Sequence, residues 1–306
     1  MIGRVARITD PGRKRRRNED AYVVEPPLFA IADGMGGAQA GEVASRLAAA
    51  AVRESGVDGG GEERILDLMR EANRRVYDRS STDPKTSGMG TTMTVALVEN
   101  DSVAFGHVGD SRAYLIRDGE IEQLTEDHSL VNELLKSGKL SPAEAETHPQ
   151  RSVITRALGT DPDVDVDTFT IGVQTGDLFL LCSDGLTDMV SKSAILELVE
   201  RNRDDIETAL RALVKAANRG GGEDNITIVA FEIADVTTHD GQTQEQALPA
   251  ELQPAEEDTL DESDAVPVVA EEQPKRRHLR RRLLAWLVLL AFAAAVAALL
   301  YWRLRH

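Results

Sequence analysis

The sequence has 306 residues, of which 52 are acidic and 35 basic, giving a formal charge of −17, and it contains one cysteine. The length allows a single core of roughly 230 residues plus appended segments. The acidic balance argues against nucleic acid as a partner, because binding phosphates needs a basic face, and one cysteine excludes a disulfide framework.

Two strands with a basic loop between them are predicted at the amino-terminal end. Arg4 to Thr9 and Ala21 to Val24 have strand patterns, and the loop contains Arg13-Lys14-Arg15-Arg16-Arg17 followed by Asn18-Glu19-Asp20. Such a run is ordinarily a solvated face or a patch for polyanions. Because two acids follow it directly, at least one Arg could also face a phosphate held near them.

A third predicted strand, Leu28 to Ala32, stops at Asp33-Gly34-Met35-Gly36-Gly37. The glycines allow close backbone approach directly after the acid, which suits a carboxylate that binds a hard metal ion. Asp-Gly is also the commonest turn signal and occurs five times in the chain. Taken alone, Asp33 is therefore better explained as a turn residue than as a metal ligand.

Two helices and four strands are predicted next. The helices are Gln39 to Ser55, with an apolar face of Val43, Leu47, Ala50 and Ala51, and Glu62 to Ser80. The strands are Thr91 to Val98, Ser102 to Val108, Ala113 to Ile116 and Ile121 to Thr125. Asp118 belongs to a hairpin turn between the last two strands. Asp110 lies at a strand end without a hairpin signature, but taken alone it is still better explained as a turn residue than as a functional one.

Residues 128 to 160 form a polar insertion of the kind that is usually a mobile lid or a recognition segment. Its helix is predicted from Ser129 to Ser137, with a further helix start at Ser141. His128 and His148 are interpreted as hydrogen-bonded structural or surface histidines rather than as catalysts.

The last part of the core repeats the arrangement around Asp33. An apolar strand, Phe179 to Leu181, leads into Ser183-Asp184-Gly185, with Cys182 as a small buried hydrophobic residue. Two helices are predicted from Ser193 to Arg201 and from Asp204 to Asn218, before Asp224-Asn225 begins a final strand, Ile226 to Ile233.

Beyond the predicted domain of residues 1–234, the chain changes character. Residues 235–274 carry twelve acids and no Lys or Arg, which predicts a disordered acidic linker. Residues 275–282 are a basic juxtamembrane segment, 283–302 are twenty residues without a charge, and 303–306 form a short outer tail. A helix of that length spans about 30 Å, enough for a bilayer. The basic flank predicts a single-pass cell-membrane protein with its amino-terminal body in the cytoplasm.

Five acids share one property: each lies at a strand boundary, and they come from five separate segments. They are Asp20, Asp33, Asp110, Asp184 and Asp224. The chain has one Cys and no His spacing typical of zinc sites. A set of carboxylates in such a chain suits oxygen-ligated ions such as Mg²⁺ or Mn²⁺. Two such ions about 4 Å apart can activate a bridging water and hold a phosphoryl oxygen, and an Arg can grip the phosphate with two hydrogen bonds.

The motifs around these acids, taken in order over residues 1 to about 233, resemble the PP2C (PPM) family of metal-dependent serine/threonine protein phosphatases. They are Arg15 with Asn18-Glu19-Asp20, Asp33-Gly34-Met35-Gly36-Gly37, Gly90-Thr91-Thr92, Gly109-Asp110-Ser111-Arg112, Ser183-Asp184-Gly185-Leu186 and Asp224-Asn225. The resemblance implies an α+β fold, a four-layer α-β-β-α sandwich with two central, mainly antiparallel sheets. The predicted transmembrane helix would follow this fold.

The resemblance also implies residue roles. Asp20, Asp33, Asp184 and Asp224, with the Gly34 carbonyl, would surround two core Mn²⁺ or Mg²⁺ ions. Asp110, with Asp184, would lie near a third, weaker ion, and Arg15 would clamp the phosphate. Residues 128–160 would be the flap beside the site. Met35 stands where many eukaryotic members have a His proposed as the general acid, and Met cannot donate a proton; His128 is a hypothetical substitute.

The predicted function is hydrolysis of phosphoserine and phosphothreonine in proteins by a metal-bridging water, from a membrane-tethered cytoplasmic domain. The expected partners are phosphorylated proteins and a Ser/Thr protein kinase whose signalling the enzyme would oppose; no nucleic acid is expected. The alternative is a non-catalytic phosphoprotein-binding scaffold of the same fold. A narrow phosphatase for a single regulator differs from the first prediction only in its substrate.

Overall fold

The structure is a computed structural model that describes residues 2–36, 40–56, 59–141, 144–145 and 148–235. The predicted juxtamembrane segment, transmembrane helix and outer tail lie outside these residues, as does the predicted linker after Asp235. Among the helices in the described ranges, none combines the length and apolar character needed to cross a bilayer.

The described strands form two sheets in which every pairing is antiparallel. The first sheet has the order β1 (Ile2–Asp10), β11 (Ile226–Ile233), β10 (Leu178–Cys182), β7 (Arg112–Arg117) and β8 (Glu120–Gln123). The second has the order β2 (Asp20–Glu25), β3 (Leu28–Met35), β5 (Met93–Val98), β6 (Ser102–Val108) and β9 (Asp167–Gly172), and β4 (Gly90–Thr91) pairs with the end of β3.

Helices cover the outer faces of both sheets. Helices α1 (Ala40–Glu54) and α2 (Gly61–Thr82) pack on the second sheet, and α5 (Lys192–Arg201) and α6 (Ile206–Gly220) pack on the first. Two short helices, α3 (Leu130–Lys136) and α4 (Asp184–Thr187), lie in connections.

Three buried apolar layers separate these elements. One lies under α1 and α2, one under α5 and α6, and one between the two sheets. The middle layer is rich in phenylalanine: the rings of Phe29 and Phe231, from opposite sheets, stack with their centroids 4.2 Å apart. The predicted four-layer α-β-β-α sandwich is therefore confirmed.

Most predicted elements are present, with helix and strand ends shifted by a few residues. Asp118 has a φ of +52° in the exposed β7–β8 hairpin turn, as predicted, and Cys182 is a fully buried free thiol. The prediction for α1 was wrong in detail, because its buried face is centred on Ala44, Ala48 and Ala51, while Val43 and Leu47 are only partly buried.

Two elements were not predicted. Strand β9 is a sheet edge whose Thr168 and Thr170 hydroxyls donate to the Glu62 carboxylate at 3.0 and 2.9 Å. The other is α4, a single helical turn that begins at Asp184 directly after β10.

Candidate active site

Two of the predicted acids face each other on neighbouring strands. Asp20 begins β2 and pairs directly with Asp33 near the end of β3. The main chain at Asp33 is held in place, since its carbonyl accepts hydrogen bonds from the Thr92 N–H at 2.9 Å and the Thr91 hydroxyl at 2.8 Å. The second sheet therefore presents two carboxylates at one end.

The first sheet brings the other three acids to the same end. Asp184 follows β10, Asp224 precedes β11, and Asp110 precedes β7. Because β10 is antiparallel to both of its neighbours, the end of β10 and the starts of β11 and β7 lie at the same end of the sheet. Residues of the two sheets then touch, because the Ser183 hydroxyl donates to an Asp20 carboxylate oxygen at 2.9 Å.

Burial raises the pKa values of Asp20, Asp33, Asp110 and Asp184, and neighbouring acids add to the shift. Burial raises the pKa of Asp33 well above its usual range, and the charges of Asp20, Asp184, Asp110 and Asp224 raise it further. Burial followed by the neighbouring acids does the same to the pKa of Asp184. The pKa of Asp20 rises to about 6, mainly through burial and despite hydrogen bonds from Thr227 and Ser183, and burial raises that of Asp110 to about 6.

The donor set fits divalent cations with oxygen ligands. One carboxylate oxygen each of Asp20, Asp110 and Asp184 is buried without a hydrogen-bond partner among the described residues, and buried anionic oxygens are costly unless a cation or donor compensates them. Within the described ranges, no group of three or more His, Cys, Asp or Glu side chains is arranged so that it could hold a metal ion without some movement. The fit therefore rests on the unpartnered oxygens and on the mutual repulsion of the acids.

Close backbone packing fixes the position of the Gly34 carbonyl. A Cβ atom on Gly34 would lie 2.1 Å from the Gly41 carbonyl oxygen in α1 and 2.6 Å from that of Glu19. The Gly34 N–H also donates to the Glu19 carbonyl at 3.2 Å. Only glycine permits this approach, which sets the turn after Asp33 directly against the start of α1.

Asn225 connects three segments of the site, a role that the sequence alone did not indicate. Its side-chain oxygen accepts from the Glu19 N–H at 2.8 Å, and its Nδ2 donates to the carbonyls of Pro11 and Arg17 at 3.1 and 2.9 Å. Asn225 thereby connects the basic loop, the start of β2 and the start of β11. Its position beside Asp224 in the motif was the only available signal.

Arg15 lies at the edge of the acid cluster. One guanidinium nitrogen contacts the Asp224 carboxylate at 2.6 Å, and more than half of the Arg15 side chain is exposed to solvent. A guanidinium has five N–H donors, so it can hold this carboxylate and still present donors to a bound anion. The structure thus brings together all six side chains predicted for the site; their ligand and clamp roles stay predictions.

The two residues considered for leaving-group protonation have different surroundings. Met35 ends β3 and pairs with Gly90. His128 is buried: its Nδ1 accepts from the Gly109 N–H at 3.0 Å, and its Nε2 contacts the Asp167 carboxylate at 3.1 Å. Because both ring nitrogens are engaged, the geometry favours the structural interpretation of His128 over the hypothetical general acid.

The predicted flap lies beside the acids. Helix α3, whose amino terminus is capped by Ser129, faces a cavity of about 1000 Å³ that is also lined by Asp110 and Asp184. The same cavity is lined by Arg112 and Asp127, which form a two-pronged ion pair whose closest atoms are 2.6 Å apart.

Comparison with known proteins agrees with this arrangement. Residues 13–226 match the family model described as protein phosphatase 2C. The chain belongs to the protein phosphatase 2C family. The match spans the segments that hold Arg15, the cluster acids and both sheets, so the predicted family is confirmed.

Named members of the protein phosphatase 2C family cover most of this chain. The serine/threonine protein phosphatase PstP of Mycobacterium tuberculosis is 41% identical over 248 residues, 80% of this chain but 47% of that protein. The chain thus spans about half the length of this relative. The serine/threonine phosphatase stp of Listeria monocytogenes is 39% identical over 236 residues, 73% of this chain and 93% of that protein.

A solved structure shows the same fold with metal. The catalytic domain of serine/threonine protein phosphatase PstP in complex with two manganese ions superposes with a TM-score of 0.71 at 37% identity, covering 76% of this chain and 99% of that domain.

Proposed function

We propose that this chain is a metal-dependent phosphatase that hydrolyses phosphoserine and phosphothreonine in proteins. The observation that carries the proposal is the meeting of five carboxylates from two sheets at one end of the sandwich, with the Arg15 guanidinium at their edge. The PstP catalytic domain that binds two manganese ions, of which this chain covers 99%, supports the same chemistry.

The residues divide the work between binding a cation and binding a phosphate. Asp20, Asp33, Asp184 and Asp224, with the Gly34 carbonyl, would hold Mn²⁺ or Mg²⁺, with Asp110 beside a third and weaker position. Ions held there supply Lewis acidity to the attacking water and to the phosphoryl oxygens. Arg15 binds the phosphate oxygens through its planar set of N–H donors.

The departing serine or threonine oxygen also needs a proton or a strong positive field. Met35 has no acidic hydrogen to give, and the ring nitrogens of His128 are engaged with Gly109 and Asp167. We therefore assign no side chain of this chain as the general acid. Replacing His128 with Ala should leave the pH profile of turnover unchanged in shape, because the ring does not transfer the proton.

The full chain, purified with and without Mn²⁺, tests the proposal on a phosphothreonine peptide and on a small phosphoester. We expect hydrolysis of both that depends on Mn²⁺ and is abolished in Asp33→Asn. The matched control is Asp118→Asn, which changes another Asp-Gly dipeptide in an exposed turn where Asn tolerates the positive φ. A folded wild-type protein that is inert with Mn²⁺ would refute the proposal.

A non-catalytic phosphoprotein scaffold is the alternative from a different class. It requires that the chain bind a phosphopeptide without releasing phosphate. Measuring peptide binding by fluorescence anisotropy alongside phosphate release separates the two functions, and binding without release would favour the scaffold.

We also propose that residues 283–302 anchor the protein in the cell membrane, with the amino-terminal body in the cytoplasm, where it opposes a Ser/Thr protein kinase. The support is the uncharged stretch of twenty residues and the basic segment before it. Truncation after residue 234 should release the protein from the membrane fraction and leave turnover of a small substrate unchanged. Retention in that fraction would contradict the anchor.

A further inference from the structure

The basic loop between β1 and β2 is held rigidly against the acid cluster. The N–H groups of Arg13 and Lys14 both donate to the Gly222 carbonyl, at 2.7 and 3.1 Å. A Cβ atom on Gly12 would lie 2.2 Å from the Asp224 carbonyl oxygen, and Asn225 binds the carbonyl of Arg17 at the other end of the loop. The cations of this loop are therefore presented from a fixed backbone.

The five cations of the loop fall into two groups. Arg15 and Arg17 have acidic partners: Arg15 contacts Asp224 at 2.6 Å, and Arg17 lies 3.9 Å from Glu42. The others, Arg13, Lys14 and Arg16, are exposed and form no ion pair with any residue in the described part of the chain. They flank the predicted phosphate clamp on both sides.

Single exposed cations without an ion pair among the described residues also occur on the helices, as at Arg70 and Lys215, but in this loop three lie within four consecutive positions. Residues 1–234 carry 40 acids against 27 Lys and Arg, so acidic partners are abundant on the surface. A fixed group of unpaired cations beside a phosphate site attracts anionic groups attached to the same ligand as the phosphate.

We propose that Arg13, Lys14 and Arg16 form a docking surface for acidic residues that flank the phosphorylated serine or threonine of the substrate. This inference rests on the proposed function and adds a substrate class to it. Consecutive Cα atoms are 3.8 Å apart in the loop, and an extended peptide advances about 3.3 Å per residue. The carboxylates recognised would therefore lie one to three positions from the phosphorylated residue.

A short acidic peptide fits this surface better than a membrane does. Glu19 and Glu42 lie next to the loop, and a broad anionic lipid surface placed on the cations would also face these acids. A peptide can direct single carboxylates at single cations and avoid the acids. Lipid binding is therefore the competing outcome that the experiment must separate.

The expected effect follows from the strength of exposed ion pairs. Each contributes a factor of about 1.5 to 5 in affinity, so losing two should cost about fivefold. Salt shortens the screening length from about 10 Å at 0.1 M to about 3 Å at 1 M, and the effect should shrink accordingly.

The test compares two charge-matched double variants of the full chain. Lys14→Ser with Arg16→Ser removes two cations of the surface, and Arg70→Ser with Lys215→Ser removes two exposed cations on the outer helices α2 and α6. The substrates are two phosphothreonine peptides of equal length with either Asp or Asn around the phosphothreonine, and a small phosphoester. Binding of the fluorescein-labelled peptides, measured without added metal, is a second readout that does not depend on turnover.

We expect the wild type and the Arg70/Lys215 variant to prefer the Asp peptide by about fivefold in kcat/KM and in binding at low salt. The Lys14/Arg16 variant should lose this preference and keep wild-type turnover of the small ester. No preference in the wild type, a preference that survives the Lys14/Arg16 change, or an equal loss in both variants overturns the inference. So does displacement of the labelled Asp peptide by phosphatidylglycerol vesicles at a lower anion concentration than by unlabelled peptide. A failure of hydrolysis with a preserved binding preference overturns the proposed function alone.

Discussion

Replacing Asp20 with Asn should stabilise the metal-free protein while impairing its response to metal. Burial and the neighbouring acids raise the pKa of Asp20 from 3.8 to about 6, and each tenfold change in proton affinity corresponds to about 1.4 kcal/mol. The ionised carboxylate therefore costs the fold roughly 3 kcal/mol at pH 7.5. The amide removes this charge and still accepts the hydrogen bond from Ser183.

The assay is thermal and urea unfolding in excess EDTA at pH 7.5, with Asp118→Asn as the control for a change of Asp to Asn in an exposed turn. We expect Asp20→Asn to gain about 2 kcal/mol, which for a domain of this size is a rise in Tm of about 4–8 °C. Added Mn²⁺ should raise the Tm of the wild type by ligand linkage and that of Asp20→Asn much less.

The pH dependence follows from the direction of the shift. A carboxyl whose pKa is raised in the folded state binds protons more tightly there than in the unfolded chain, so its penalty is present above pH 6 and relieved as the pH falls towards 3.8. The advantage of Asp20→Asn should therefore vanish near pH 4. A variant that is no more stable than the wild type in EDTA at pH 7.5 would refute the reasoning.

Three further predictions concern residues around the site. Burial lowers the pKa of His107 from 6.5 to about 4, so the wild type loses stability as the pH falls from 6.5 towards 4. The free energy of unfolding should therefore fall by about 2 kcal/mol less in His107→Gln than in the wild type when the pH is lowered from 7.5 to 5. Arg112→Leu leaves the Asp127 carboxylate without its partner and should cost about 3 kcal/mol in urea unfolding, part of which a second change, Asp127→Leu, recovers. Gly34→Ala forces a methyl group into a backbone carbonyl and should cost about 1–3 kcal/mol and most of the activity, whereas Gly172→Ala, which meets nothing within 4 Å, should change neither.

The acids of the site were predictable because their signals are local. A strand that ends in an acid and a glycine can be recognised from a few residues, as at Asp33 and Asp184. The residues that hold these acids have no such signal. Ser183 donates to Asp20 across 163 positions of sequence, and Asn225 accepts from Glu19 across 206. Only the folded chain shows these partners.

Errors in the fold prediction have equally specific causes. Periodicity favoured the larger side chains Val43 and Leu47 as the buried face of α1, but the helix packs through small residues such as Ala44 and Ala48, which allow its close approach to β3. Strand β9 was not predicted, although its alternation of threonine with apolar residues is a strand pattern. Its threonine side is covered by Glu62 in α2, a partner that only the folded chain shows.

The phenylalanine layer holds the two sheets of the sandwich together. The stacked rings of Phe29 and Phe231 pack the two sheets against each other. At one end of the sandwich, electrostatic repulsion between the carboxylates of Asp33 and Asp184 opposes this packing. Without cations, thermal opening should therefore begin at the acidic end and stop at the aromatic layer. Amide protons near Asp33 would then exchange with solvent sooner than those near Phe29. A bound cation would neutralise the repulsion between the acids and slow this exchange.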